Sequence, residues 1–173
     1  MRSNVVAALA LVLGSLFISA STSWAAVPGP QQAASATDVY KVAIDRSVSL
    51  TEAAESMRLR ANALNLKLVA ELALSKQVEA MTDKAQRTVT IFQFCDAVTA
   101  KDLIDLNLDF SVYMPCRIAL IEDASGQGWL VMLDVNIDAV AKEKRLPHAL
   151  KDRINEVRQS LVSIMQAGAR GEL

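Results

Sequence analysis

The spacing of hydrophobic and polar residues changes along the chain, and these changes predict strands and helices in alternation. Strict two-residue alternation in Leu66–Leu74 and Thr88–Cys95 is typical of strands with one buried face. Val39–Val48 is rich in β-branched residues and predicts another strand. Arg117–Asp123 and Trp129–Val135 flank a glycine-containing turn, which is typical of a hairpin. We therefore expect five strands.

Apolar residues that recur every three or four positions predict the helices between and after these strands. The first long helix follows Ser49, because Ser49 and Glu52 have the spacing of a capping box. The last helix follows Pro147, has the longest apolar stripe of the chain and is expected to end at Gly168. Shorter helical segments are expected at residues 75–87 (one turn), 99–106 and 137–144.

The order of these elements is β-α-β-β-α-β-β-α, which predicts an α+β domain. The closing hairpin requires antiparallel pairing, so we expect one mainly antiparallel sheet with the helices packed on one face. A helical bundle is excluded, because the alternating segments do not have a helical period.

The N-terminal residues have the pattern of a secretory signal peptide. Arg2 precedes a short apolar run, Val5–Ala20, and Ser23 and Ala25 occupy the small-residue positions before a cleavage point. We predict cleavage after Ala25, a flexible lead-in at residues 26–37, a single domain at residues 38–173 and a periplasmic location. No later apolar run reaches the roughly 20 residues that a membrane span requires.

The charge balance argues against nucleic acid as a partner. The chain has 18 basic and 19 acidic residues, and removal of Arg2 with the signal leaves 17 and 19, a net charge of −2. A nucleic-acid-binding domain usually has a basic excess concentrated on one face.

Both cysteines of the chain, Cys95 and Cys116, stand at the ends of predicted core strands, so we expect them to lie close together. Three roles are open. A structural disulfide fits an exported protein. A soft-metal site for Cu(I) would use both thiolates and Met114. Two buried, inert thiols are the third role. The spacing is not Cys-x-x-Cys, which disfavours a thioredoxin-like centre, and Arg117 is expected to lower the pKa of Cys116 or to hold an anionic ligand.

Other polar residues give weaker signals for chemistry. His148 is the only histidine, and nothing in the sequence provides it with a partner. The carboxylates of Glu122, Asp123 and Asp134 flank the hairpin, where side chains are usually solvated. Trp129 is expected to face the core. We find no glycine-rich phosphate loop and no nucleophile motif, so no catalytic residue is assigned.

Four segments carry a resemblance to a known family: FQFCDA, YMPCRIALIED, the Gly-turn-Trp hairpin and the ending PHALKDRINEVRQSLVSIMQAGARGEL. They resemble the bacterial domain-of-unknown-function 302 family over about residues 39–173. The resemblance implies a curved antiparallel sheet with helices on one face, similar to TATA-box-binding-protein-like folds. Many members have Asn-Pro after the first cysteine, where this chain has Asp96-Ala97. The family has no established activity.

Three functional hypotheses follow, in order of preference. The first is a non-enzymatic periplasmic binding or accessory module that holds a soft metal, a haem-type group or a sulfur compound near the cysteines. The second is a structural or interaction protein that forms a homodimer. The third is a thiol-dependent enzyme or carrier that uses Cys116.

Overall fold

The computed structural model describes residues 37–172. The predicted signal peptide and most of the predicted lead-in lie outside this range. The elements, in chain order, are β1 (Thr37–Ala43), α1 (Leu50–Ala63), β2 (Lys67–Leu72), α2 (Leu74–Thr82), β3 (Val89–Cys95), α3 (Ala97–Leu106), a 3₁₀ helix (Leu108–Tyr113), β4 (Cys116–Glu122), β5 (Gly128–Val135), α4 (Ile137–Lys144) and α5 (His148–Arg170).

The five strands form one sheet in the order β1-β5-β4-β3-β2, and every neighbouring pair is antiparallel. The predicted α+β fold class is confirmed. The strands β1 and β2 form the two edges. None of the helices in residues 37–172 combines the length and apolar character that crossing a membrane demands.

The main core lies between one face of the sheet and the two long helices, α1 and α5. Strand residues on this face alternate with residues on the other, as the two-residue period requires. The cross-strand pairs Phe92–Ile118 and Leu120–Leu130 belong to this face, and all four side chains are buried. Met57 of α1 and Ile164 of α5 cover them from the helix side.

The first long helix begins as predicted. The Ser49 hydroxyl accepts a hydrogen bond from the backbone N–H of Glu52 at 3.1 Å, and the Glu52 carboxylate accepts one from the Ser49 N–H at 2.8 Å. Both halves of the capping box are therefore formed.

The predicted end of the last helix at Gly168 is wrong. The helix continues to Arg170, and Gly171 ends it with a φ of 65°. Gly168 instead lies in the interior of α5, against α1. A Cβ at Gly168 would lie 2.6 Å from the Cγ of Met57, so its hydrogen side chain permits the close approach of the two helices.

Two other local predictions differ from the structure. The segment expected to hold one helical turn contains the nine-residue helix α2. The first strand ends at Ala43, five residues before the predicted limit, because the chain turns there towards the capping box.

Candidate functional site

A cavity of about 190 Å³ lies at the end of the sheet where β3 and β5 finish and β4 begins. Its other walls are α3, the 3₁₀ helix, α4 and the N-terminal half of α5. A second small core closes these walls, formed by the buried side chains of Leu103, Phe110, Val140 and Leu150. The lining is mostly apolar.

Polar contacts hold the helical wall in place. Asp96 caps α3 by accepting hydrogen bonds from the N–H groups of Val98 and Thr99, both at 3.1 Å. Arg153 of α5 donates to the Thr99 hydroxyl at 2.9 Å and also pairs with Asp102. The α3 wall is thereby tied to α5 across more than 50 residues of sequence. Asp96 thus has a clear capping role.

Both cysteines and Met114 are among the residues that line this cavity. Cys116 pairs with Phe94 across β3 and β4, which puts Cys95 one residue out of register with Cys116. A strand spacing of about 4.8 Å and a rise of about 3.4 Å per residue place the two Cα atoms about 6 Å apart.

Both thiols are free. Their separation is within the range of disulfides, but residues one step out of register point to opposite faces of a sheet. A bond between Cys95 and Cys116 would therefore need one strand end to rotate.

Burial makes both thiols weaker acids than an ordinary cysteine. The pKa of Cys116 is raised to about 11, first by burial and then by the charge of a Cys95 thiolate. The Arg117 guanidinium lowers the pKa of Cys116, as expected, but its effect is smaller than that of burial. The pKa of Cys95 is raised by burial and by the neighbouring Asp96 carboxylate. Cys116 is thus a neutral thiol at physiological pH, which does not favour its use as a nucleophile.

This raised pKa predicts slow alkylation of Cys116. In the folded protein at pH 8, iodoacetamide is expected to react with Cys116 at about one hundredth of its rate in the urea-unfolded chain. A rise of the pKa from 9 to about 11 leaves about one hundredth of the thiolate, which is the reactive form. The rate should rise about tenfold per pH unit up to pH 11. Mass spectrometry of the peptides measures both cysteines together. Equal rates in folded and unfolded protein would refute this assignment, and a protein without free thiols would support the disulfide.

An ion pair forms one polar part of the cavity wall. Arg158 of α5 donates two hydrogen bonds to the Asp134 carboxylate of β5, each at 2.6 Å. These bonds hold the pKa of Asp134 below its usual value. The pair gives a mainly apolar cavity a charged, hydrogen-bonding corner, and Asp96 and Arg117 are the other charged residues of the lining. The sequence pattern did not identify Arg158, since it is one of several charged residues between the apolar positions of the last helix.

The other carboxylates at the hairpin have structural roles. Asp123 accepts hydrogen bonds from the Ser125 hydroxyl at 2.7 Å, from the Trp129 indole N–H at 2.7 Å and from the Ser125 N–H at 2.8 Å. These bonds, the Ser125 hydroxyl first, hold the pKa of Asp123 well below the usual range. Glu122 accepts a bond from the Thr88 N–H. The two are therefore occupied within the fold and do not form an acid–base pair.

The prediction that Trp129 faces the core is wrong. Trp129 lies on the same face as Leu133 and Val39, whose side chains are 55% and 61% exposed. The helices pack on the opposite face, and alternation alone does not tell which face they cover. His148 is exposed at the start of α5, away from the cavity lining.

Within residues 37–172, no three side chains of His, Cys, Asp or Glu converge in a way that would hold a metal ion. A zinc site built on His148 and the two cysteines is therefore not assembled. Of the sulfur ligands suggested for Cu(I), all three line the one cavity, together with Met132.

Comparisons with known proteins agree with this fold. The family model described as "Domain of unknown function DUF302" matches residues 40–168. A crystal structure of an uncharacterized conserved DUF302 protein from Bacillus stearothermophilus superposes with a TM-score of 0.60 at 15% identity, covering 75% of this chain and 96% of that one. At this identity the likeness shows the fold alone. No curated protein matches the chain. The chain belongs to the DUF302 family.

Proposed function

We propose that this protein is a non-enzymatic binding module that holds a small, mainly apolar molecule in the cavity at the end of the sheet. The observation that carries the proposal is the cavity itself, an apolar space of about 190 Å³ with a charged corner at Asp134 and Arg158. Binding pockets typically combine an apolar lining with a few placed polar groups. The neutral Cys116 thiol and the hydrogen-bonded carboxylates favour binding over catalysis.

The size of the cavity limits the ligand to about one ring. An engineered cavity of roughly 150 Å³ in another protein stays dry and binds benzene. A slightly larger space suits a single aromatic ring or a bicyclic molecule such as indole. A ligand group with a hydrogen-bond donor or acceptor would lie towards Asp134 and Arg158, and a soft or polarisable part towards Cys95, Cys116 and Met114.

Calorimetric titration with indole and with toluene tests the proposal. Burial of roughly 200 Å² of apolar ligand surface at about 25 cal/mol/Å² gives about 5 kcal/mol, which corresponds to a Kd on the order of 10⁻⁴ M. Binding of either compound with this affinity and with one site per chain is expected. Absence of binding up to the solubility limit of both would contradict the proposal.

The same proposal places the binding module in the periplasm. The support is the signal-peptide pattern at residues 1–25, with Ser23 and Ala25 before the cleavage point. The intact mass of the protein from the periplasm of its host is expected to correspond to a chain that begins at Ala26. A mass that still includes Val5–Ala20 would contradict export by cleavage.

A Cu(I) site is a second candidate, favoured because Cys95, Cys116 and Met114 all belong to the lining of one cavity. Joint binding by both thiolates would need one strand end to rotate, as a disulfide would. Thiolates and thioethers are the ligands that Cu(I) prefers. Because both thiols are neutral before binding, Cu(I) must displace their protons. For each proton displaced, the affinity for Cu(I) should fall about tenfold when the pH is lowered by one unit.

Competition with a chromogenic Cu(I) chelator checks this second candidate. Cys116→Ser is expected to lower the affinity of the reduced protein at least 100-fold, and Met114→Leu to lower it less. Met81→Leu is the matched control, since Met81 is 86% exposed and lies outside the cavity. Equal affinity in wild type and Cys116→Ser would eliminate the metal site and leave the proposed apolar cavity unaffected.

A further inference from the structure

Charged residues are segregated between the two faces of the sheet. All the acidic residues of the described strands belong to the face that packs against the helices. They are Asp38, Glu71, Glu122 and Asp134. The face opposite the helices, which we call the open face, carries the basic strand residues instead. They are Lys41, Lys67 and Arg117.

The register assigns each residue to its face. Asp134 pairs with Asp38 and is bonded to Arg158 of α5, and Glu71 pairs with the buried Phe92. Lys41 pairs with Val131, and Lys67 pairs with Cys95. Both pairs lie on the face of the sheet that the long helices do not cover. The segregation is therefore a property of the strand register and does not depend on the position of a mobile side-chain tip.

The basic residues of the open face are exposed and have no acidic partner. Lys41, Lys67 and Arg117 are all solvent exposed, and none forms a salt bridge within residues 37–172. Lys41 and Lys67 lie on the two edge strands, β1 and β2, and Arg117 lies on the central strand β4. Four strand spacings of about 4.8 Å separate the edges, so the positive charge spans about 19 Å.

Exposed apolar side chains lie between these charges. Val39 and Leu133 are directly paired across β1 and β5, and 61% and 55% of their surfaces are exposed. Val131 and Ala119, both half-buried, continue the apolar strip towards the centre of the sheet. A contiguous, partly exposed apolar strip with cations spread around it is characteristic of an interaction surface.

We propose that the open face is a docking surface for a protein partner whose contacting side chains are acidic and apolar. A second copy of this chain fits poorly, because face-to-face stacking would bring cations against cations with no acid on either side. The width of the charged area exceeds that of a single small anion.

A lipid surface also fits less well than a protein. Within residues 37–172, Trp129 is the only large aromatic strand residue of the open face, and it is held within the fold. Its indole N–H donates to Asp123 at 2.7 Å, and the Lys41 ammonium lies 3.7 Å from its ring centroid. An aromatic side chain fixed in this way is not free to insert into the bilayer interface, which is the usual position of tryptophan in membrane-bound proteins.

The test uses a fluorescein-labelled twelve-residue peptide of alternating Glu and Leu, with fluorescence anisotropy as the measurement. Wild type is expected to bind it, and to bind it more weakly in 500 mM than in 50 mM NaCl. The double variant Lys41→Glu/Lys67→Glu is expected to bind at least tenfold more weakly, and Val39→Ser about threefold more weakly. None of these three residues lines the cavity.

Lys84→Glu/Lys142→Glu is the matched control, since both lysines are exposed and unpaired in the described part of the chain but lie outside the sheet. Its affinity for the peptide should stay within twofold of wild type. Circular dichroism and indole affinity, which should not change, exclude misfolding. No binding of the peptide by wild type, or equal weakening in the control, would overturn the proposal.

Two further outcomes would also overturn it. One is binding to vesicles of phosphatidylcholine and phosphatidylglycerol (3:1) that depends on Lys41 and Lys67 while the peptide does not bind. The other is a dimer in sedimentation equilibrium that Lys41→Glu/Lys67→Glu dissociates.

Discussion

Replacing Gly168 by alanine is expected to lower the free energy of unfolding by about 2 kcal/mol. A Cβ at this position would lie 2.6 Å from Met57 Cγ, 3.0 Å from Leu130 Cδ1 and 3.1 Å from the Ala53 carbonyl oxygen. One of these atoms is backbone and the others are deep in the core, so α1 and α5 must move apart. Overpacking of this kind costs up to about 3 kcal/mol, and the better helix propensity of alanine offsets about 1 kcal/mol.

Urea unfolding measures this change, and Gln166→Ala is its control. Gln166 is exposed on the same helix, so its replacement should change the free energy of unfolding by less than about 0.5 kcal/mol. In a Met57→Ala background, the cost of Gly168→Ala should fall by at least half, because the shortest contact has been removed. A Gly168→Ala protein as stable as wild type would contradict the close helix packing described above.

Filling the cavity with Ala100→Leu is expected to weaken indole binding more than tenfold. Ala100 is half-buried on α3 and lines the cavity, so three additional carbon atoms would occupy space that the ligand needs. Alanine and leucine are both good helix formers, so α3 should remain intact. Calorimetric titration of the variant gives the affinity, and thermal unfolding gives its stability.

Ala97→Leu is the control for the filled cavity. Ala97 begins the same helix but is exposed and does not line the cavity, so its replacement should leave indole affinity within twofold of wild type. Unchanged affinity in Ala100→Leu would mean that indole binds elsewhere on the protein. Loss of affinity in both variants would point to a general effect on α3.

The sequence predicts the strands and the start of α1 well because these depend on local rules. The alternation in Thr88–Cys95 predicted β3, and the spacing of Ser49 and Glu52 predicted the capping box; the structure contains both. Gly168 shows the limit of the same rules. A glycine near the end of an apolar stripe commonly ends a helix, but here the neighbouring helix requires it, and that neighbour is over 100 residues away in the sequence.

The candidate site was only partly visible in the sequence. Cys95, Cys116 and Met114 were identified because they are rare residues next to strand ends. The opposite wall of the cavity was not identified from the sequence, since α3 and the first half of α5 meet only in the tertiary fold. Arg158 has no sequence signal that separates it from other charged helix residues. The prediction for Trp129 was wrong because the two-residue period defines two faces of a strand without saying which one the helices cover.

The central claim is that the cavity at the end of the sheet binds a small apolar molecule, and methionine methyl NMR tests it most directly. Met114 and Met132 line the cavity, Met132 as a residue of the main core that reaches it. Met57 and Met165 lie in the main core but not in the cavity lining, and Met81 is exposed. These five residues therefore give two probes and three internal controls in one spectrum.

In protein labelled with ¹³C-methyl methionine, titration with indole is expected to shift the Met114 and Met132 signals along one saturable curve. The signals of Met57, Met165 and Met81 should change by less than a quarter as much. No saturable shift of Met114 and Met132, or an equal shift of Met81, would contradict the account.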